Sequence, residues 1–277
     1  MRAAGPAIAP APTRLRAYAL LLRSRLASQL VYRRSFALDL VGQAATVLLD
    51  LVEVLVVFHQ VPVLSGFGVS DVLVMFGLSS VGFSLADLAV GQIDGLGEYV
   101  RTGTLDIMLV RPLSVLGQLV TTDLQARRLG RVGLGLGVLV VALARADVDW
   151  TPGRVALLLL TPVCGMVIFA SLWVATSSVI FFLVEGQEFV SAFTYGGSYL
   201  AHWPLSVLNL AVARFFTFVL PNAFVAYLPA VAILGRTDPT GLPTWLAWCT
   251  PVAALWTVGL AGLAWRSGLR RYMGAGG

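Results

Sequence analysis

Long apolar runs recur along this chain, and they constrain its fold more than any other feature. The run from residue 155 to residue 184 contains no charged side chain, and it exceeds the ~20 residues that a helix needs to cross a bilayer. Only 12% of all residues are charged, whereas soluble domains contain about 25%. Because one core cannot bury so much apolar surface, the sequence predicts an all-α membrane protein with about six transmembrane helices.

The side chains that catalysis usually needs are scarce. All 19 basic residues are arginine, so the chain lacks the lysine with which a P-loop reaches the phosphates of ATP. Cys164 and Cys249 lie in apolar runs, which favours buried thiols over a disulfide. His59 and His202 have no acidic residue at metal-ligand spacing. We therefore predict no catalytic residue, no metal site and no enzyme activity in this chain.

Apolar runs alternate with stretches rich in proline, glycine or arginine, and this alternation divides the chain. Residues 1–13 are expected to be disordered, and residues 14–34 resemble an interfacial amphipathic helix. A transmembrane domain is predicted over 36–265, followed by a tail, 266–277. Its six crossings are expected at 36–58, 70–92, 132–146, 155–184, 205–220 (followed by a re-entrant segment, 221–234) and 244–265. The aromatic stretch 185–203 is expected at a membrane interface.

The distribution of arginine predicts the orientation of the chain. Most arginines lie near the N-terminus, in residues 93–131 or in the tail, which six crossings place on one side of the membrane. Arg145, Arg154 and Arg236 fall on the other side, and Arg214 falls within the fifth crossing. Since short cytoplasmic loops carry the excess of arginine, both termini are expected in the cytoplasm.

Polar residues recur every three or four positions in the first predicted crossing and therefore share one helix face. They are Asp39, Gln43, Thr46, Asp50 and Glu53. A charged side chain at mid-bilayer costs at least ~2.5–3.5 kcal/mol, so this face is expected to avoid lipid. Two interpretations stay open. The face is either a polar seam between helices, paired with arginines, or the acidic wall of a substrate path that favours cations.

The second predicted crossing repeats this spacing with smaller residues. Gly77, Ser80, Ser84 and Gly91 share a face with Asp87, which joins the acids of the first crossing as a candidate for the seam or path. Small residues let helices approach closely, so we expect the first two crossings to pack against each other. Arg214 is a candidate counter-charge for these acids.

Residues 93–131, hereafter the charged segment, separate the second and third predicted crossings. Glu98 and Arg101 are one helical turn apart, Gly103 follows as a helix breaker, and Arg111-Pro112 ends the next short element. The pattern predicts short helices along the cytoplasmic surface, apolar on one face and charged on the other. On these residues alone, an ordinary surface loop with solvated charges is the preferred interpretation.

Four stretches in this order resemble the ABC-2-type permeases, the membrane subunits of ATP-binding-cassette exporters. The first matches the pattern Y-x-R-x-G-x-L-D-x-x-L-x-R-P-L of a six-span bacterial branch through Tyr99, Arg101, Gly103, Leu105, Asp106, Leu109, Arg111, Pro112 and Leu113. The other three are the basic, aromatic lead at 32–40, the proline-broken segment at 218–236 and the tail at 268–277.

This resemblance implies an architecture and a set of partners. It implies six helices with an N-terminal interfacial helix, a cytoplasmic coupling helix and an extracellular re-entrant segment. A second copy, or a related permease, would complete the pore in the bacterial cytoplasmic membrane. Two copies of a separate ATPase subunit would bind ATP and Mg²⁺, so this chain would bind no cofactor. No contact with nucleic acid is expected.

The resemblance also assigns roles to residues. Contact with the ATPase would involve Glu98, Tyr99, Arg101, Gly103, Leu105, Asp106, Arg111 and Pro112. Our own hypothesis adds an extracellular gate at Pro221, Asn222, Tyr227 and Pro229, because backbone groups freed by a broken helix need protein or water as partners and should line a cavity. The expected function is export of a small amphipathic, drug-like molecule, with cations favoured by the acidic face. The alternatives are a secondary transporter that carries protons on its intramembrane acids, and a membrane protein that binds a partner without transporting.

Overall fold

The structure, a computed structural model, describes residues 33–122, 125–183 and 186–272. The segment predicted at 1–13, all but the last two residues of the segment predicted at 14–34, and the tail beyond residue 272 lie outside the described residues. The helices are α1 (Arg33–Gln60), α2 (Val69–Val90), α3 (Leu96–Arg101), α4 (Thr104–Val110), α5 (Val115–Thr122), α6 (Leu129–Arg145), α7 (Pro152–Ser177), α8 (Gln187–Leu200), α9 (Leu210–Arg214), α10 (Tyr227–Leu234) and α11 (Thr250–Arg271). Two short antiparallel strands, β1 (Val63–Leu64) and β2 (Phe67–Gly68), connect α1 to α2.

Several helices are long and apolar enough to cross a bilayer, which confirms the predicted all-α membrane class. Four qualify among the described residues: Arg34–Gln60, Val69–Arg101, Pro152–Phe181 and Thr244–Arg271. Two sharply bent helix pairs, 104–121 and 210–234, raise the number to six if each pair is counted as one span. The contacts that these pairs make argue against counting either pair as a full crossing.

Helix α6 runs antiparallel to α2 along its length. A Cβ atom on Gly77 would lie 2.8 Å from the Leu139 Cα, and one on Gly135 would lie 3.3 Å from the Ser80 Cβ. At one end of this pair, Arg131 contacts Asp87. Although α6 has only 17 residues, or about 25 Å, it therefore returns across the bundle beside α2. The small-residue face of α2 thus contacts α6, and not α1 as we expected from the sequence.

Because α2 and α6 are antiparallel, the chain between them leaves and re-enters at the same end of the bundle. Helices α4 and α5 form a hairpin there, with an angle of 119° between their axes. We call this the basic end, since Arg101, Arg111, Arg128 and Arg266 lie there. A hydrophobic cluster around Ile93, Leu105, Leu119, Ile180 and Trp265 joins the hairpin to the ends of α7 and α11.

Helix α8 lies along α2 inside the bundle. Its Tyr195 hydroxyl bonds Asp94 at the basic end, and the Ser198 carbonyl accepts from Ser79 further along α2. The ring of His202 then lies 4.6 Å from that of Phe76, closer to the opposite end. The sequence predicted a crossing at 205–220 and an interfacial stretch at 185–203. In the structure Gln187–Leu200 is a helix of the bundle. Its hydropathy is low because it turns polar and aromatic side chains, such as Tyr195 and Ser198, toward a cavity.

Residues 210–234 form a V that enters and leaves at the end opposite the basic end. Ser65 donates a hydrogen bond to the Ser206 carbonyl before the V, and Arg236 pairs with Asp71 after it. The two arms meet at 78° near Asn222, which donates to the Gly197 carbonyl of α8. The re-entrant part thus begins about eleven residues before the predicted 221–234, at Leu210. A π-helical turn, Phe215–Val219, ends its first arm.

Candidate functional site

The first turn of the charged segment lies between α3 and α4 and is tight. Arg101 Nη2 lies 2.6 Å from Glu98 Oε2, and both side chains are exposed. Gly103 follows with φ of +68°, a left-handed conformation that costs other residues roughly 1–2 kcal/mol. The sequence therefore encodes the turn through Gly103, whereas the Glu98–Arg101 pair lies free at the surface.

A second turn, at Arg111 and Pro112, folds α5 back on α4. Arg111 adopts an extended conformation, as expected for a residue before proline. The buried Gln118 side chain crosses this turn, since its amide nitrogen lies 2.8 Å from the Met108 carbonyl and 3.1 Å from the Leu113 carbonyl. Sequence reasoning missed Gln118. Its signal in the sequence is a polar residue within the otherwise apolar run 115–120.

The hairpin has one buried and one exposed side. Leu105 is fully buried and Met108 is 6% exposed, and both belong to the cluster that contacts α7 and α11. Ile107 and Val110 face outward, with 59% and 87% of their surface exposed. Arg111 and Pro112 are exposed beside them. One side of the hairpin therefore packs against the bundle, and the other side exposes both charged and apolar side chains.

Asp106 and Tyr99, by contrast, are half-buried. The hydroxyl of Tyr272, just after α11, lies beside the Asp106 carboxylate; burial first, and then this carboxylate, raise the pKa of Tyr272. The Tyr272 ring also packs edge-on against Phe181, with centroids 6.1 Å apart. The predicted contact residue Asp106 thus connects α4 to the end of the last helix and does not face solvent freely.

The polar face of α1 divides between two surroundings. Asp39 pairs with Arg127 at 3.3 Å near the basic end, while Thr46 donates a hydrogen bond to the Gln43 carbonyl of its own helix. Glu53 is exposed and accepts a hydrogen bond from the Tyr199 hydroxyl of α8. Polar pairing therefore accounts for much of this face, as the seam interpretation expects, but it leaves Asp50 for another contact.

Asp50 lines a cavity of ≈ 230 Å³ enclosed by α1, α2, α6 and α8. The lining is mixed: Thr46, Val47, Asp50, Ser80, Phe83, Ser84, Arg131, Tyr195, Ser198, Tyr199 and His202. Hydroxyl groups, one carboxylate, one guanidinium and aromatic rings thus converge at one place inside the bundle. A few polar groups among apolar walls are typical of a small-molecule site.

Asp87 does not line this cavity, but it forms an ion pair with Arg131, the arginine that does. The Asp87 side chain is 2% exposed and lies 2.9 Å from Arg128 Nη1 and 3.0 Å from Arg131 Nη1. Gly91 lies one turn away, and a Cβ atom there would collide with both Arg128 and Asp87. The counter-charges of Asp87 are thus these two arginines at the start of α6, and not Arg214, the candidate from the sequence.

A second acid, Asp94, was missed by sequence reasoning. It accepts hydrogen bonds from Trp173 Nε1 and the Tyr195 hydroxyl, both at 2.8 Å. Phe83 stacks on Trp173 with ring centroids 5.5 Å apart, and Tyr195 packs edge-on against both rings. This group joins α2, α7 and α8 between the cavity and the charged segment. Asp94 lies 79 positions from Trp173 and 101 from Tyr195, so no local pattern could have revealed these two hydrogen bonds.

Comparison with known proteins decides the family. Residues 44–276 match the family described as ABC-2 family transporter protein. The chain belongs to this family. No curated protein and no solved structure matches the sequence. The match confirms the resemblance to ABC-2-type permeases. The chain is therefore a multi-pass membrane permease of an ABC transporter, the kind of subunit that works with a separate ATPase.

In this permease, the four residues predicted to form a gate lie in and beside the second arm of the V. Pro221, Asn222, Tyr227 and Pro229 are all buried. The Asn222 amide holds the Gly197 carbonyl at 2.8 Å, and the Tyr227 hydroxyl donates to the Asp238 carboxylate. Pro221 lies at the bend between the arms. The structure thus buries all four residues in one part of the chain, with Asn222 bonded to α8, while their role as a gate stays a prediction.

Proposed function

We propose that this permease exports a small amphipathic molecule with ATP hydrolysed by a separate ATPase subunit, and that the α4–α5 hairpin receives the force. The excess of arginine at the basic end supports a cytoplasmic location for this end. The observation that carries the proposal is the two-sided hairpin. Val110 and Arg111 are exposed at its tip, while Leu105 and Met108 are buried against the bundle.

Such a hairpin suits the transmission of motion. An exposed apolar residue flanked by charges favours docking of a soluble protein, because Ile107 and Val110 would otherwise contact water. The buried side contacts α7 and α11, so that displacement of the tip moves these helices. Through Asp94 and Trp173, the same end of the bundle is connected to the cavity.

The substrate path would use the cavity around Asp50. Its carboxylate and the rings of Phe83, Tyr195 and Tyr199 favour a cation with an apolar body, since such cations bind aromatic faces. Arg131 is held by Asp87 and so opposes a cation less than a free arginine. Alternating access would open this cavity toward either end, with the V at 210–234 closing the outer side.

A second permease copy, or a related subunit, would complete the path. Only 11% of the apolar window of α1 is buried, and its Asp39 and Glu53 are half-exposed or exposed. Lipid is a poor environment for two acids, whereas a partner helix can cover them. Two subunits facing each other through α1 would place their cavities on either side of the interface. Two ATPase copies would then dock at the basic end.

The experiment that tests this function is co-purification of the tagged chain from its native membrane in mild detergent, followed by mass spectrometry and an ATPase assay. We expect a stoichiometric P-loop ATPase. Val110→Asp should release it, because the charge is placed on the exposed tip. Val63→Asp is the matched control, since Val63 is also an exposed valine, 58% accessible, but at the opposite end. Retention of the ATPase by Val110→Asp would contradict docking at the hairpin.

Proton-coupled transport is the competing mechanism. It needs acids that can gain and lose a proton, for which Asp39, Asp50, Glu53 and Asp87 are the candidates. Asp39 pairs with one arginine and Asp87 with two, which leaves Asp50 and Glu53 as carriers. Transport assayed in vesicles with a protonophore separates the mechanisms. Export that persists with the protonophore and stops when the ATPase partner is inactivated supports our proposal. The reverse result assigns the chain to secondary transport, and no transport in either assay favours a binding role.

A further inference from the structure

A groove of ≈ 710 Å³ lies at the basic end, separate from the cavity around Asp50. Its first wall is the α4–α5 hairpin, through Leu109 and Leu116. Val174 of α7 contributes the second wall, and Val258 and Trp265 of α11 contribute the third. The lining is thus mainly apolar, and the volume is within the range of ligand pockets, about 300–1,000 Å³.

The dimensions of this groove fit one leaflet of a bilayer. Its residues on α11 extend from Val258 to Leu269, which at 1.5 Å per residue is about 16 Å. Half of a hydrocarbon core of ~30 Å is about 15 Å. Because α11 is one of the helices long enough to span, the groove follows the helix through the leaflet at the basic end.

The charge at the groove is placed where a lipid headgroup would lie. Arg266 is the single charged residue among the described residues that line it, and its side chain is exposed near the end of α11. Trp265 lies next to it, and tryptophan favours the headgroup level of membranes. An apolar channel one leaflet long that ends at an arginine is complementary to an acyl chain ending in a phosphate.

We propose that this groove binds an acyl chain of an anionic phospholipid, with the lipid phosphate held by Arg266. The transported molecule is a poorer occupant, because the groove borders the hairpin and α11, whereas the polar cavity is lined by α1, α2, α6 and α8. The site does not depend on the proposed function, since it needs only that α11 spans the membrane.

Native mass spectrometry of the purified full-length chain, with phosphatidylglycerol or phosphatidylcholine added, tests the site. The wild-type chain should retain phosphatidylglycerol in preference to phosphatidylcholine. Arg266→Gln should weaken phosphatidylglycerol binding about fivefold, the usual contribution of one arginine at an anionic membrane surface. Arg270→Gln is the matched control, because Arg270 is exposed on the same helix end but does not line the groove.

A second variant fills the groove. No atom lies within 4 Å of a Cβ atom added to Gly262, which lines the groove, or to Gly259, which does not. Gly262→Phe should therefore exclude both lipids, while Gly259→Phe should bind them as the wild type does. Equal binding of the two lipids by the wild type, or unchanged binding in Arg266→Gln and Gly262→Phe, would overturn the proposal.

The other possible occupant is the N-terminal part of the chain. A photo-cross-linking side chain at position 116 reports what fills the groove in the native membrane. Capture of a phospholipid agrees with the proposal. Capture of a peptide from residues 1–32 would overturn it and assign the groove to the chain itself.

Discussion

Arg131 Nη1 lies 3.0 Å from Asp87 Oδ2, and the same arginine borders the cavity that Asp50 lines. The ion pair joins α2 to α6 inside the bundle, where a charge without a partner is expensive. It therefore fixes both the packing of two helices and the position of a cationic group beside the candidate substrate site.

Removing Asp87 should destabilise the protein strongly. Asp87→Ala leaves Arg128 and Arg131 without their shared partner, and breaking a buried pair in this way costs on the order of 3–5 kcal/mol. We expect a lower Tm in detergent and a lower yield of folded protein. Asp39→Ala is the control, because its pair with Arg127 is half-exposed and should contribute at most ~1 kcal/mol. Equal losses in the two variants would contradict a special role for the buried pair.

The second prediction concerns the stability of variants at the close contact between α2 and α6. Gly77→Ala would place a Cβ atom 2.8 Å from the Leu139 backbone, and the resulting overpacking should cost roughly 1–3 kcal/mol. Gly133 and Gly137 on α6 have open space around them, so alanine there should be neutral or stabilise by up to ~1 kcal/mol. Thermal unfolding of the three variants in one detergent measures these effects. A neutral Gly77→Ala would show that the helices are further apart than the structure places them.

The sequence predicted the four long apolar helices well, because hydropathy is a local property of the chain. It did not predict α8 as a helix of the bundle, because α8 contains the polar and aromatic residues that face the cavity, such as Tyr195 and Ser198, and they lower its hydropathy. The Pro-broken stretch after it is more apolar but re-enters the bundle. Period and composition cannot distinguish a helix that crosses from one that returns, since that difference depends on contacts with distant residues.

The candidate site was predicted in part for the same reason. The acids on α1 were visible from their spacing, and so was Asp87, but their partners were not. Arg127 and Arg128 precede α6 in the sequence, and their pattern is typical of surface charges. In the structure Arg128 is mostly buried against Asp87. Asp94, Trp173 and Tyr195 meet only after three helices have packed together.

The turn between α4 and α5 should affect coupling through Gln118. Gln118→Met fills a similar volume but removes the amide that donates to the Met108 and Leu113 carbonyls. A buried carbonyl left without a donor costs about 1–3 kcal/mol of folding free energy. We expect weaker stimulation of the partner ATPase by substrate, with the complex still assembled. Gln60→Met, at an exposed position at the end of α1, should leave stimulation unchanged. If the two variants behave alike, the angle of the hairpin does not matter for coupling.

The last prediction concerns the charge of the substrate that the cavity binds. Asp50→Asn preserves the shape of the side chain but removes the one carboxylate that lines the cavity among the described residues. Losing a single charge contact of about 1.4 kcal/mol corresponds to a tenfold weaker interaction, so the half-saturating concentration of an amphipathic cation should rise about tenfold. A neutral molecule of similar size should be affected much less, because it does not use the carboxylate.

Asp39→Asn is the matched control, since Asp39 pairs with Arg127 outside the cavity. Transport into inverted vesicles that contain the ATPase partner measures both substrates. Equal effects of Asp50→Asn on the two substrates would exclude recognition of positive charge at this site and leave Asp50 as part of a polar seam between helices.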